Sequence, residues 1–182
     1  MSAAASSTSE PTKAQRLRRP ERLARLELPR VLAAFAPVPA RVLDIGTGSG
    51  VFAQAFAEAG ARQVAGVDLS SELIQAAREY LPAGNFRVAP AETLPFAAGT
   101  FDLAFMGLML HESPDMAAAL QEARRVAPRL GVLEWAYREE ESGPPLSRRL
   151  NPPQLEALAR AAGFSRMQQL ELSEFVLYRL EA

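Results

Sequence analysis

The sequence predicts an α/β fold, a three-layer sandwich in which helices cover both faces of a mostly parallel, seven-stranded sheet. Three observations predict it. Apolar strand-like runs alternate with helical stretches from residue 41 onward, which is typical of parallel strands joined by helices. Residues 165–182 alternate between polar and apolar side chains, which indicates a final antiparallel hairpin. The 182 residues, 48% of them hydrophobic, are enough for one domain with a sizeable core.

The N-terminal region divides into two parts. Residues 1–15 are small and polar, so we expect a disordered tail, followed by a single domain over residues 16–182. Within that domain, residues 16–37 are expected to form N-terminal cap helices, because apolar residues recur at helical spacing and Pro29 marks a break. We interpret the basic residues of this stretch as a solvated helix face, with phosphate or membrane contact as the alternative. They are Arg16, Arg18, Arg19, Arg22 and Arg25.

The elements of the sheet and its helices follow in order. Strands are predicted at 41–46, 63–68, 86–90, 100–107 and 131–137, and helices at 50–60, 70–81, 115–126 and 152–163. Ser70 or Ser71 is a suitable N-cap, while Pro152 and Gly163 mark the start and the end of the last helix. The charged connection 138–150 contains proline and glycine, and we expect it to act as a lid or as part of a substrate site.

The composition excludes several classes of site. With no cysteine and one histidine, the chain cannot form disulfides, thiolate or multi-histidine metal sites, or a cysteine nucleophile, so we expect no metal. A net charge of −1 provides no overall basic field for nucleic acid. No run of 18 apolar residues and no secretory signal is present, so we expect a cytoplasmic protein without a membrane span.

A glycine-rich loop carries the strongest functional signal. Residues 44–50, DIGTGSG, end the first strand and open a helix, and glycine lets such a backbone turn tightly and approach a ligand. Asp68 ends the second strand, where a carboxylate can accept hydrogen bonds from both hydroxyls of a ribose. Ligands of such sheets bind beyond the carboxyl ends of the strands. A nucleoside-containing cofactor is therefore expected.

Two cofactor types compete for this loop. The dinucleotide fingerprint is G-x-G-x-x-G, whereas this chain has G-x-G-x-G. Asp44 lies two residues before the first glycine, where its anion would repel a pyrophosphate but suits a cationic amino group. S-adenosylmethionine carries such a group. A nicotinamide dinucleotide and a plain glycine turn remain as alternatives.

Four motifs in order carry a family resemblance: VLDIGTGSG, GVDLS, AETLPFAAGTFDLAF and MLHESPD. They resemble the class I, seven-stranded S-adenosylmethionine-dependent methyltransferases, and most closely the small-molecule group similar to the ubiquinone/menaquinone-biosynthesis type. The resemblance covers about residues 38–180. It implies a Rossmann-like fold and in-line methyl transfer from S-adenosylmethionine to a small molecule, with S-adenosylhomocysteine as product.

The resemblance also implies roles for individual residues. The loop residues Gly46, Thr47, Gly48 and Gly50 would line the amino-acid and ribose end of the cofactor, and Asp44 would hold its amino group. Asp68 would bind the ribose hydroxyls and Leu69 would pack on the adenine, with Ala91 and Glu92 at its edge. Met106 and Gly107 would flank the sulfonium.

One position departs from the family pattern. Relatives usually have Asp-Ala-Glu where this chain has Pro90-Ala91-Glu92. The aspartate of the relatives accepts a hydrogen bond from the adenine amino group, and Pro90 offers neither a carboxylate nor an amide hydrogen. Either Glu92 replaces that contact or the contact is missing. In the second case, the loss of one hydrogen bond would weaken the free energy of cofactor binding by about 1 kcal/mol.

Two residues are candidates for catalysis. His111 follows the fourth strand and has a side chain suited to a general base near neutral pH. Glu134 lies near the end of the fifth strand among apolar neighbours, where it would orient a substrate or a backbone amide. The sequence thus favours a methyltransferase acting on a small molecule as a monomer or homodimer. The alternative is a non-catalytic module that binds the cofactor or its product, or serves as a partner subunit.

Overall fold

A single seven-stranded sheet runs through the computed structural model, which describes residues 10–140 and 142–182. The strand order is β3-β2-β1-β4-β5-β7-β6. The first five strands are parallel, while β7 runs antiparallel to both β5 and β6. The predicted α/β sandwich with a C-terminal hairpin is confirmed. The strands are β1 (Arg41–Ile45), β2 (Gln63–Asp68), β3 (Asn85–Val88), β4 (Leu103–Gly107), β5 (Arg129–Trp135), β6 (Arg166–Glu171) and β7 (Phe175–Glu181).

The helices cover the sheet, and two of them begin at side-chain caps, of which Ser70 was expected. Ser70 Oγ accepts a hydrogen bond from Leu73 N (3.2 Å), and Asp115 accepts one from Ala118 N (3.0 Å). Two short 3₁₀ turns, Leu110–Glu112 and Leu146–Arg148, follow β4 and precede the last helix. The helices are α1 (Lys13–Leu17), α2 (Pro20–Arg25), α3 (Leu28–Ala33), α4 (Val51–Glu58), α5 (Ser71–Tyr80), α6 (Met116–Val126) and α7 (Pro152–Ala161).

Four of the five strands with predicted bounds, β1, β3, β4 and β5, differ from them by one to three residues at one or both ends, and two of these differences have a clear local reason. β4 begins at Leu103 rather than at residue 100, because Thr100 Oγ1 donates a hydrogen bond to the Ala97 carbonyl (2.6 Å) and closes a turn. β3 ends at Val88 rather than at Pro90, since proline has no N–H to extend the ladder. None of the helices formed by residues 10–140 and 142–182 is long and apolar enough to cross a membrane.

Apolar side chains are buried on both faces of the parallel strands. Leu43, Ile45 and Met106 belong to a core cluster on one face, and Val42 and Phe105 belong to a cluster on the other. Side chains alternate between the faces along a strand, so a run that is apolar throughout must be covered on both sides. This burial fixes β1 and β4 at the centre of the sheet.

The chain order reverses between β1 and β4. β2 lies on one side of β1 and β4 on the other, so the connections leaving β1 and β4 diverge and open a crevice at their carboxyl ends. The glycine loop leaves β1 at this crevice, and the turn after Gly107 leaves β4 beside it.

The N-terminal segment departs from the predicted tail. Residues 1–9 lie outside the described residues, but residues 13–15 begin α1 rather than extending a tail. Thr12 caps this helix by accepting a hydrogen bond from Gln15 N (3.2 Å), and Ala14 is buried against Leu73 and Ala76. This burial on α5 orders a helix too short to be stable alone. The predicted cap helices are α1 to α3.

The predicted lid, 138–150, is held at the end of β5 instead. The buried Arg149 donates hydrogen bonds to the carbonyls of Ala136 (2.8 Å), Ser142 (2.7 Å) and Pro144 (2.9 Å). Within its described residues, 138–140 and 142–150, the connection contributes nothing to the wall of the cavity described below. Its backbone is fixed by a buried cation, which is the opposite of what a lid requires.

Candidate functional site

A cavity of about 380 Å³ lies at the carboxyl ends of β1, β2 and β4. Its volume is in the range of small-molecule sites in proteins. Its walls come from four connections after strands and from the N-terminal helices. They include Gly46, Thr47, Gly48 and Ser49 after β1, Asp68, Leu69 and Ser70 after β2, Ala89, Ala91 and Glu92 after β3, and Gly107, Leu108 and Met109 at the end of β4.

The glycine loop needs glycine where it meets the cavity. Gly46 has a φ of 68° and Gly48 a φ of 55°, in the left-handed region that side chains disfavour. A Cβ on Gly46 would also lie 2.7 Å from Cγ of Met109. Gly50 was expected to line the cofactor, but it is the N-cap residue of α4, with a φ of 79°. It faces α5, where an added Cβ would lie 3.1 Å from the Cβ of Ala77. Gly50 therefore serves helix packing rather than the cavity wall.

Asp44 lies behind the glycine loop and is almost fully buried. Its Oδ2 accepts hydrogen bonds from Thr47 Oγ1 (2.7 Å) and Ala53 N (3.1 Å). Its Oδ1 is buried without a hydrogen-bond partner among the described residues. Burial, with a smaller contribution from the charge of Asp68, raises the pKa of Asp44 to about 7. A buried oxygen with unused lone pairs suits a cationic donor, which would favour the ionised carboxylate.

Asp68 and Leu69 form the wall after β2. Asp68 Oδ2 accepts a hydrogen bond from Gly48 N and Oδ1 accepts one from Ser70 N, both at 2.9 Å. Each carboxylate oxygen can accept more than one hydrogen bond, so the oriented group can still receive hydroxyl donors. Leu69 is 71% exposed, an unusual position for leucine, and offers an apolar surface to a flat ring.

The wall after β3 contains Ala91 and Glu92 but not Pro90, which is exposed. Glu92 accepts a hydrogen bond from the hydroxyl of Ser113, another lining residue. This contact fixes the orientation of the Glu92 carboxylate at the cavity wall.

At the end of β4, Gly107 lines the cavity, whereas Met106 does not. We expected both to flank the ligand, but Met106 is fully buried in the core because side chains alternate along a strand. A Cβ on Gly107 would lie 2.2 Å from Cε2 of Phe52, so only glycine allows that ring to pack there. Leu108 follows with a φ of 57°, a conformation that is uncommon for leucine and costs free energy.

His111 and Glu134 are brought together, behind the cavity wall rather than on it. Nδ1 of His111 lies 2.7 Å from Oε2 of Glu134, and the backbone N–H of His111 donates to Oε1 (3.2 Å). Nε2 of His111 is 3.8 Å from Oε1 of Glu112, a residue that does line the cavity. Burial lowers the pKa of His111, but the hydrogen bond and charge of Glu134 outweigh it, so the pKa is raised overall.

The N-terminal helices supply cavity residues that sequence reasoning missed. Lys13, Leu17, Arg22 and Leu26 all line the cavity. Arg18 anchors the segment by donating to the Ser49 carbonyl (2.7 Å) and to Gln54 Oε1 (2.8 Å). The prediction of a solvated basic face is therefore wrong for Arg18 and Arg22. Arg22 and Leu26 are spaced as on one helix face, but nothing in the sequence indicates that α1 docks at the cavity, because short helices dock through tertiary contacts.

Comparisons with known proteins agree with this arrangement. The family profile described as a methyltransferase domain matches residues 43–134, half of the chain. A malonyl-[acyl-carrier protein] O-methyltransferase of Erwinia pyrifoliae is 40% identical over 86 residues, covering 47% of this chain and 32% of that protein. A demethylmenaquinone methyltransferase of Thermotoga maritima is 34% identical over 96 residues, covering 52% of this chain and 42% of that protein.

A solved structure extends the similarity to almost the whole chain. A SAM-dependent methyltransferase from Aquifex aeolicus superimposes with a TM-score of 0.80 at 26% identity, over 96% of this chain and 100% of that chain. The matched region spans less than half the length of the two curated relatives.

Proposed function

This chain belongs to the methyltransferase domain family, and from that premise we propose that it transfers a methyl group from S-adenosylmethionine to a small-molecule acceptor. The observation that carries the proposal is the convergence of the glycine loop, Asp68 and the end of β4 on one cavity of about 380 Å³. These three features match, respectively, the amino-acid, ribose and methyl ends of that cofactor.

The chemistry of the cavity wall, and of Asp44 behind the glycine loop, supports this cofactor. Asp44 has a buried oxygen without a hydrogen-bond partner among the described residues, and an ammonium group would supply the donor it lacks. Asp68 is held by two backbone amides in an orientation that can receive ribose hydroxyls, and Leu69 offers an apolar surface for adenine. When bound, S-adenosylmethionine supplies a methyl group already activated by its sulfonium.

The contribution of the protein to the reaction is then alignment and deprotonation. Leu17, Leu26 and Phe52 give the cavity apolar walls that exclude water from the reacting atoms. Glu134 accepts a hydrogen bond from Nδ1–H of His111, which keeps the proton on Nδ1 and leaves a lone pair on Nε2. We assign to Nε2 the removal of a proton from an acceptor hydroxyl, directly or through one water, since His111 lies just behind the wall.

A second candidate function is a non-catalytic module that binds the cofactor or its product. It is favoured by one observation, that neither His111 nor Glu134 lines the cavity. The two functions differ in turnover but not in cofactor binding. A co-purifying protein together with absent turnover would support the second.

Calorimetric titration and a methyl-transfer assay test the proposal together. We expect S-adenosylmethionine and S-adenosylhomocysteine to bind and NADH not to bind, and label from the methyl group to reach a small-molecule acceptor. Asp68→Asn should weaken both sulfur ligands by about tenfold or more, because a charged hydrogen-bond acceptor is lost. Glu79→Gln, an exposed carboxylate on α5, is the matched control. Binding of NADH in place of the sulfur ligands would overturn the proposal, and binding without turnover would leave the second function.

A further inference from the structure

Arg22 on α2 is a partly buried cation in the wall of the cavity. Its guanidinium is half-buried, and it makes no hydrogen bond and no ion pair with any residue of 10–140 or 142–182. The guanidinium groups of two nearby arginines do have hydrogen-bond partners. Arg18 donates to Ser49 and Gln54, and Arg25 donates to Glu174. Burial, together with the charge of Arg25, lowers the pKa of Arg22, which reflects an uncompensated cation.

Arg22 is one helical turn from an apolar cluster that includes side chains at the end of β4. Arg22 and Leu26 lie one helical turn apart on the same face of the chain, and both line the cavity. Leu26 belongs to the same apolar cluster as Phe52, whose ring packs against Gly107 at the end of β4. This cluster connects the face of α2 that carries Leu26 with the end of β4, the strand end followed by the turn that carries His111.

The glycine loop is covered by a different helix, α1, which also carries a cationic residue, Lys13. A Cβ on Gly48 would lie 3.1 Å from Leu17 Cδ1 of α1, and Lys13 of the same helix lines the cavity. The amino-acid end of the cofactor thus has Lys13 and the loop amides nearby. Arg22 belongs to the next helix, α2, and is available for a second ligand.

We propose that Arg22 binds an anionic group, a carboxylate or a phosphate, on the methyl acceptor, so that the substrate of this site is a small acid. The inference rests on the proposed function. A guanidinium presents parallel N–H donors that match a carboxylate or phosphate with two hydrogen bonds. An unpaired, partly desolvated cation costs free energy in the free protein, and an anionic ligand would offset that cost on binding.

The test compares charged and uncharged probes on the protein saturated with S-adenosylhomocysteine. Benzoate, its uncharged analogue benzamide, and inorganic phosphate are each titrated at constant ionic strength while the unfolding temperature is recorded. We expect benzoate and phosphate to raise that temperature and benzamide to leave it unchanged. Arg22→Gln should weaken the binding of both anions by about tenfold or more, and Arg22→Lys should retain part of it.

Two controls make the outcome decisive. Arg19→Gln removes the same charge from an exposed position with no side-chain hydrogen bond among the described residues, and it should respond as the unchanged protein does. Binding of S-adenosylhomocysteine and of 5′-methylthioadenosine, which has no carboxylate, shows which ligand Arg22 serves. If Arg22→Gln weakens only S-adenosylhomocysteine, Arg22 holds the carboxylate of the cofactor and the inference is wrong. It is also wrong if no anion stabilises the complex, while failure of S-adenosylhomocysteine itself to bind would overturn the proposed function instead.

Discussion

Glu134 accepts two hydrogen bonds from a single residue, one from the ring of His111 at 2.7 Å and one from its backbone amide at 3.2 Å. The two side chains are 2% and 8% exposed, so water competes little for either. The contact ties the turn after β4 to the end of β5 and sets both the orientation and the tautomer of the imidazole. Because a carboxylate can only accept, Nδ1 keeps its proton and Nε2 is left to take one.

Replacement of Glu134 tests this pairing. We expect Glu134→Gln to lower kcat by about tenfold to a hundredfold, because the amide can donate to Nδ1 and so favours the wrong tautomer. The KM for S-adenosylmethionine should change little, since Glu134 does not line the cavity. Steady-state kinetics of the variant and of Glu156→Gln, a partly exposed glutamate that pairs with Arg160 on α7, provide the measurement. An unchanged kcat would assign the pair to structure alone.

The raised pKa of His111 predicts the pH dependence of the reaction. A general base must be neutral, so kcat/KM should rise with pH through a midpoint above the ordinary value of about 6.5. Glu134→Gln removes the charge that raises the pKa and should move the midpoint to lower pH. The same pair also makes the stability of the fold depend on pH, but stability falls as the pH rises, whereas kcat/KM increases. Its contribution to stability is fully present below about pH 6.5 and is lost as the pH rises through the raised pKa.

The titration of Asp44 predicts a pH dependence of cofactor binding. Its pKa of about 7 in the folded protein exceeds the ordinary value of an aspartate, so its contribution to stability is present at low pH and lost as the pH rises through about 7. S-adenosylhomocysteine, which carries an ammonium group, should bind more tightly from pH 6 to pH 8 as Asp44 ionises.

Asp44→Asn isolates that effect. We expect the variant to bind S-adenosylhomocysteine about tenfold or more weakly at pH 8, with most of the pH dependence gone. Its unliganded form should be no less stable than the unchanged protein at that pH, because a buried charge has been removed. Calorimetric titrations at three pH values and thermal unfolding measure the two effects. A pH dependence equal to that of the unchanged protein would show that another group is responsible.

The sheet and its central crevice could be predicted because local signals agreed. Apolar runs marked the strands, Ser70 and Pro152 marked helix starts, and the positive φ of Gly46 and Gly48 explains why glycine recurs after β1. Strand bounds were less certain where a turn or a proline decided them, as at Thr100 and Pro90.

The remainder of the site depends on contacts that a single sequence does not reveal. Met106 was expected at the cavity, although the alternation of side chains along β4 turns it into the core beside Gly107. The predicted lid is held in place by Arg149, a residue that gives no sign in the sequence of being buried. The docking of α1 on α5 involves small side chains such as Ala14, whose burial depends on the partner helix.

Arg18 offers a way to test whether α1 controls access to the cavity. Its guanidinium donates to the Ser49 carbonyl and to Gln54, and it stacks 3.4 Å from the ring centroid of Tyr80. A helix of five residues is not stable by itself, so these contacts hold α1 over the glycine loop. We expect Arg18→Met to release S-adenosylhomocysteine faster by about tenfold, with a smaller effect on its association rate. Stopped-flow dissociation measures this, with Arg19→Gln as the control. Equal dissociation rates in the two variants would mean that the cofactor enters and leaves without movement of α1.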